Sequence, residues 1–180
     1  WTTLFRGLGV TMMLAGISAV FTVLIGLIVA ILRSFRSPTL NLFLKAYIDI
    51  FRSVPMIVVM VVIFFALPYA GISLGSIITT IVALSLGYGA YAAESFRAGL
   101  ESVHTGQIEA ARSLGLGRWQ TIRMIVLPQA IPVVIPPLTG NLVAMLKETA
   151  VASVVAAPEL LKRARELYTS KTNPTPLIAA

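Results

Sequence analysis

The chain of 180 residues carries seven carboxylates, one histidine and no cysteine. Disulfides, thiolate metal sites and cysteine nucleophiles are therefore excluded. A single His104 offers no ligand set for zinc, and no H-E-x-x-H run is present, so neither a metal site nor a catalytic residue is expected. A G-x-x-x-x-G-K-[ST] phosphate loop is absent too, so this chain is not expected to bind or hydrolyse ATP itself. What remains is charge and amide at the edges of apolar runs. Glu94 closes one uncharged stretch, Lys147 and Glu148 close another, and Asn141 lies inside the latter. An ionisable group at membrane depth is costly to bury and is a functional candidate for that reason. A carboxylate there can meet an amine or a basic side chain of a solute. Glu94, Asn141 and Glu148 are the substrate-pathway candidates. The competing readings are cations and anions that snorkel to the interface, and for Asn141 a hydrogen bond between helices. Arg97 and Lys147 read as snorkelling cations.

A second constellation is a matter of spacing. Glu109-Ala110-Ala111 is followed by Gly115, and then by Ile125-Val126-Leu127-Pro128. Written out, it is E-A-A-x3-G-x9-I-x-L-P. Gly115-Leu116-Gly117 breaks the chain after a short helix from about Gly106 to Leu114. His104 lies just before, without a partner signature, and reads as a solvated loop residue.

These residues must be held by elements suited to lipid. Hydrophobic residues make up 57% and charged residues 12% of the chain, and the mean hydropathy is +0.91. A water-soluble fold of this size could not cover so much apolar surface with so few charges. The chain reads as an all-α integral membrane protein, one transmembrane domain over 1–180. The net charge of +7 would suggest nucleic-acid binding in a soluble protein. Here it flanks apolar spans, and no nucleic-acid partner is expected.

Four uncharged stretches predict spans at about 7–32, 54–70, 73–93 and 124–146, and a fifth is expected to start near 176. The first is 26 residues, or about 39 Å of helix, enough to cross a hydrocarbon core of about 30 Å. Within it Ser18, Thr22, Gly26 and Ala30 recur every four residues, as do Ser85, Gly89 and Ala93 in the third. Each series predicts a small-residue face for close helix approach. Arg33 to Arg52 predicts a helix near the membrane surface or a lead-in to the second span. Pro68 to Gly71 predicts a tight turn. The polar stretch 94–123 predicts two short helices, about Ala92–Val103 and Gly106–Leu114. Pro128, Pro132, Pro136 and Pro137 predict a kinked or re-entrant first half for the fourth span. Positive charge favours one side only weakly: eight Lys or Arg in 33–52 and 94–123, against six elsewhere. The first two intervals are placed in the cytoplasm.

The spaced motif between two spans resembles the EAA loop of permease subunits of ATP-binding-cassette importers. Phe51-Arg52-Ser53-Val54-Pro55, Ala90 to Gly99 and Lys147 to Ser153 are similar to the polar amino-acid branch, the histidine, glutamine, glutamate, arginine and opine type. Many members carry Gln shortly after the proline of the first segment, where this chain has Val58 and Val59. The resemblance covers nearly the whole chain. It implies a type I importer permease core of about five transmembrane helices with the last one truncated, in a bacterial plasma (inner) membrane. It implies that Glu109, Ala110, Ala111, Gly115, Leu116 and Gly117 couple to a separate ATPase, which binds ATP and Mg. Small alanines would let the helix seat in a groove, and Gly115 would permit the chain reversal. It also implies a second permease, identical or paralogous, and an extracytoplasmic substrate-binding protein. Two rivals differ in class. Gly87-Tyr88-Gly89 is similar to a potassium-channel filter, though Ser85-Leu86 precedes it rather than Thr-Val. A membrane-embedded protease would need a serine and a histidine on neighbouring spans. The acidic, basic or amide character of the substrate stays open, as does an opine.

Overall fold

The computed structural model describes residues 2–35 and 37–171. Helix α1 spans Thr2–Arg33, α2 Pro38–Ser53, α3 Met56–Val61, α4 Ser76–Glu101, α5 Thr105–Ser113, α6 Arg118–Thr121, α7 Leu127–Glu148 and α8 Leu160–Lys171. No strand occurs among the described residues. The expected start of a fifth span near 176 lies outside them.

Three helical runs are long and apolar enough to cross a membrane: Thr2–Arg33, Ser76–Glu101 and Arg118–Val155. A fourth crossing is available if Pro38–Ser53 and Met56–Ala70 act together, and these two meet at 107°. The corner has a local cause. Pro55 forces Val54 into extended backbone, with φ −97° and ψ 128°, so α2 ends at Ser53. Pro55 then caps α3, and the chain turns.

Helix α4 is the axis of the bundle, packing on α1, α2, α3 and α7. Its contact with α1 follows the two small-residue series. Ser18, Thr22, Gly26 and Ala30 are buried on α1, and Ser85, Gly89 and Ala93 on α4. A β-carbon on Gly26 would lie 2.6 Å from Ala92 Cβ and 3.0 Å from its carbonyl carbon. One on Gly89 would lie 2.7 Å from Ile25 Cγ2. The helices approach more closely than any larger side chain allows.

Two expectations need correction. The polar stretch from 94 does not start a new helix at Ala92, because α4 continues unbroken to Glu101. Its charges satisfy one another along and across helices. Arg97 bonds Glu94 and also Glu101, one turn on, and Arg33 reaches in from α1. Charge therefore ends the apolar span but not the helix. The interval between membrane-length helices shrinks from 94–123 to Ser102–Gly117, with α5 inside it. The proline-rich stretch does not turn back either, since Arg118–Val155 is one 38-residue run. For the first of its prolines there is a local reason. Ile122–Val126 widens into a π turn that ends two residues before Pro128, with the Leu127 amide donating to the Ile122 carbonyl. The widened turn relieves the clash between a proline ring and the carbonyl four residues back. The same device recurs at Val62–Ala66, two residues before Pro68.

Candidate functional site

Two places on this frame gather the functional candidates: a turn that protrudes beyond α4, and a cavity between α2, α3, α4 and α7.

The turn is built by α5. His104 caps it, its Nδ1 accepting the Gly106 amide at 3.1 Å, so this residue has a structural partner that the sequence did not reveal. Ile108 packs with Val103, Val126 and Ala130, and Ala111 is buried, so α5 rests on the start of the long run. Gln129 Nε2 donates to Gln107 Oε1 and to the Ile125 carbonyl, tying α5 down from α7. The end of α5 is a complete left-handed cap. Gly115 has φ +80°, its amide donates to the Arg112 carbonyl at 2.9 Å, and the Leu116 amide donates to Ala111 at 3.1 Å. Gly117 then caps α6, its amide donating to Gln120 Oε1 at 2.9 Å. Glu109 and Ala110 face outward, and Leu114 is 83% exposed. Leu114 was not among the sequence candidates. An apolar side chain presented at the tip of a rigid turn is a signal that only the structure supplies.

The cavity has a volume of about 420 Å³ and is lined by Arg52, Met56, Tyr88, Tyr91, Asn141 and Glu148, among others. Its polar groups are held by specific contacts. The Tyr91 ring lies under the Arg52 guanidinium, 5.3 Å from Cζ to the centroid, and the Tyr91 hydroxyl donates to the Arg52 carbonyl at 3.3 Å. Asn141 Nδ2 donates to Ser95 Oγ at 3.2 Å, which fixes the amide and leaves its oxygen without a protein donor. Tyr88 is buried and lines the same cavity as Glu148.

The charges of this cavity have no ionic partner. Among the described residues neither Arg52 nor Glu148 forms an ion pair, with each other or with any other group. A guanidinium and a carboxylate line one small cavity, and a ligand that carries both charges would complement them. The size of the cavity suits a small solute.

Of the three substrate-pathway candidates, the cavity brings together Asn141 and Glu148. Glu94 is not in its lining and lies one turn beyond Tyr91 on α4. Its carboxylate takes Arg33 Nη1 at 2.6 Å and Arg97 Nη2 at 2.6 Å, so it is committed to protein. Lys147, next to Glu148, is exposed. Arg52, Met56 and Tyr88 were missed as site residues. A charge opening an apolar run marks Arg52, by the same reasoning that singled out Glu148. Tyr88 and Met56 carry no such mark. The Gly87-Tyr88-Gly89 run is ordinary helix in the middle of α4, so its carbonyls are not arrayed as an ion filter.

Comparison with known proteins places this geometry. Residues 22–180 match the family described as the binding-protein-dependent transport system inner membrane component. A probable amino-acid ABC transporter permease of Bacillus subtilis is 37% identical over 160 residues, covering 89% of this chain and 71% of the relative. A probable glutamine ABC transporter permease of the same organism is 38% identical over 162 residues, covering 90% and 74%. Among solved structures, an amino acid ABC transporter crystallised with histidines superposes with a TM-score of 0.92 at 31% identity, over 99% of this chain and 84% of that one. An inward-facing methionine ABC transporter superposes with a TM-score of 0.78 at 29% identity, over 99% and 86%.

Proposed function

The chain belongs to the family of binding-protein-dependent transport system inner membrane components, and from that premise we propose that it imports a polar amino acid as the permease subunit of an ATP-binding-cassette transporter. The observation that carries the substrate class is the cavity in which Arg52 and Glu148 stand unpaired. An α-amino acid is the smallest common solute that presents a carboxylate and an ammonium at once. Arg52 would take the carboxylate by a charge-assisted hydrogen bond, and Glu148 the ammonium. Asn141 and Tyr88 add a hydrogen-bond acceptor and a hydroxyl.

Coupling falls to the protruding turn. Glu109, Ala110 and the exposed Leu114 would enter a groove on the ATPase. Gly115, Leu116 and Gly117 hold the reversal that makes the turn rigid. Gln107 and Gln129 would pass its displacement to the long helix. The partners are two ATPase subunits, which bind ATP and Mg, a second permease and an extracytoplasmic substrate-binding protein. The site is a bacterial inner membrane, and the transition is a rigid-body alternation between inward-open and outward-facing states. The names of the relatives and the seated, capped turn support this reading.

The test is purification of the full-length protein from its native membrane in mild detergent, followed by reconstitution. A cassette ATPase that co-purifies, and uptake of a polar amino acid that requires ATP, are expected. A protein that purifies alone and transports nothing would overturn the proposal.

A further inference from the structure

One wall of the cavity rests on a missing side chain. Gly87 is buried in α4, one residue before Tyr88. A β-carbon on Gly87 would fall 2.3 Å from Met56 Cε and 3.5 Å from its Sδ. Met56 is itself in the cavity wall. Its thioether therefore lies in the space that any other residue at 87 would fill.

A displaced Met56 finds open space on its cavity side. Away from the cavity it belongs to a close-packed cluster that includes Met60, Ala83, Leu84 and Met145, all at most 1% exposed. Interiors packed to that density do not admit another methyl group. The empty volume that Met56 itself lines is the cavity. Methionine is also unbranched and flexible, so it can swing without breaking its surroundings. The backbone is no obstacle, because Gly87 lies within a regular helix, where alanine is preferred to glycine.

We infer that Gly87, acting through Met56, sets the length of side chain that the amino-acid cavity accepts. Gly87 is a specificity-determining residue that does not itself touch the ligand. The inference rests on the proposed reading of the cavity as the amino-acid site. With glycine at 87 the thioether lies back against α4 and the cavity keeps its depth. With alanine the thioether moves forward, and ligands with long side chains lose room while short ones do not.

The test uses the full permease–ATPase complex without its binding protein, and direct binding of L-glutamine and L-alanine. Gly87→Ala should weaken L-glutamine by about tenfold and leave L-alanine within roughly twofold, the scale of one methyl group in an apolar wall. Adding Met56→Ala to Gly87→Ala should return L-glutamine to at least its original affinity. That rescue separates a moved thioether from a merely disturbed helix. An unchanged ratio of the two affinities in Gly87→Ala, or no rescue in the double variant, overturns the inference. Glu148→Gln in the same assay tests the underlying reading. If the unsubstituted complex binds neither amino acid, or if Glu148→Gln binds both normally, the amino-acid cavity fails and the inference falls with it. If Glu148→Gln abolishes binding while Gly87→Ala keeps the ratio, the cavity stands and only the inference fails.

Discussion

Glu94 and Glu148 each close an apolar run, yet the two regions around them are built on opposite principles. Toward the α5 end of α4, the charges of that helix are answered by protein. Arg33 from α1 and Arg97 from the next turn hold Glu94, and Glu101 holds Arg97 from the other side. At the cavity, charges are kept apart. Lys147 is adjacent to Glu148 in sequence, but neighbours one residue apart point to different faces of a helix. Arg52 stacks on Tyr91 instead of pairing. A buried charge matched by the protein stabilises architecture. Two opposite charges left without an ionic partner in one cavity are what the proposed amino-acid ligand would match.

That contrast breaks most sharply at the cavity. Glu148→Gln keeps the shape and removes the charge, and amino-acid binding should fall by about thirtyfold, or about 2 kcal/mol, the value of a charge-assisted hydrogen bond. Thermal unfolding of the complex should not move. A drop in melting temperature with unchanged binding would make Glu148 architectural, like Glu94.

Next in size is the turn below α4. Gly115→Val places a β-branched residue at φ +80°, at a strain of about 1–3 kcal/mol. ATP hydrolysis without uptake, or loss of the ATPase from the purified complex, is the expected outcome. Normal uptake would mean that the cap is not needed for coupling. Leu114→Asp leaves the fold of the turn intact and should weaken ATPase retention alone, as read by the subunit ratio after purification.

Glu94→Gln reverses the first test. It leaves Arg33 and Arg97 without their shared anion, so the complex should lose about 1 kcal/mol of stability while amino-acid affinity stays the same. Weakened binding at unchanged stability would return Glu94 to the substrate pathway.

The smallest effect comes from a third carboxylate. Glu159 is 1% exposed, outside the membrane-length runs, and accepts the Leu161 and Lys162 amides at 2.7 Å each as the cap of α8. Burial pushes its carboxyl pKa up, against the opposing pull of those amides. A pKa raised on folding stabilises the fold below the unfolded value of about 4.3 and loses that contribution as pH rises through the folded value. A pH series of melting temperatures should therefore show a decline just above the ordinary carboxylate range, absent in Glu159→Gln. An identical series in both proteins would show that its amide partners offset the burial.

Much of this molecule could be read from the chain alone. The motif from Glu109 to Pro128 depends on neighbours in sequence, and Gly115 does what a glycine after a short amphipathic helix can do. The faces of Ser18, Thr22, Gly26 and Ala30, and of Ser85, Gly89 and Ala93, follow from a repeat of four on a helix with 3.6 residues per turn. Helix continuity was harder to read. Charges at 94–101 look like a separate short helix until Arg33, sixty-one positions away from Glu94, is seen to pair with that carboxylate. Pro128 looks like a break until the π turn before it is taken into account.

The sequence by itself determined a membrane-embedded helical bundle with a capped turn between two of its helices, because hydropathy, small-residue periodicity and caps act over a few residues. Only the tertiary structure decided which carboxylate is bound by protein and which lines a cavity without an ionic partner. The cavity is assembled from residues 51–56, 88–91 and 141–148. Whether their charges meet, and whether Gly87 leaves room for Met56, depends on how far apart α2, α3, α4 and α7 are held. That distance is set by side-chain packing across the whole bundle, which no local pattern records.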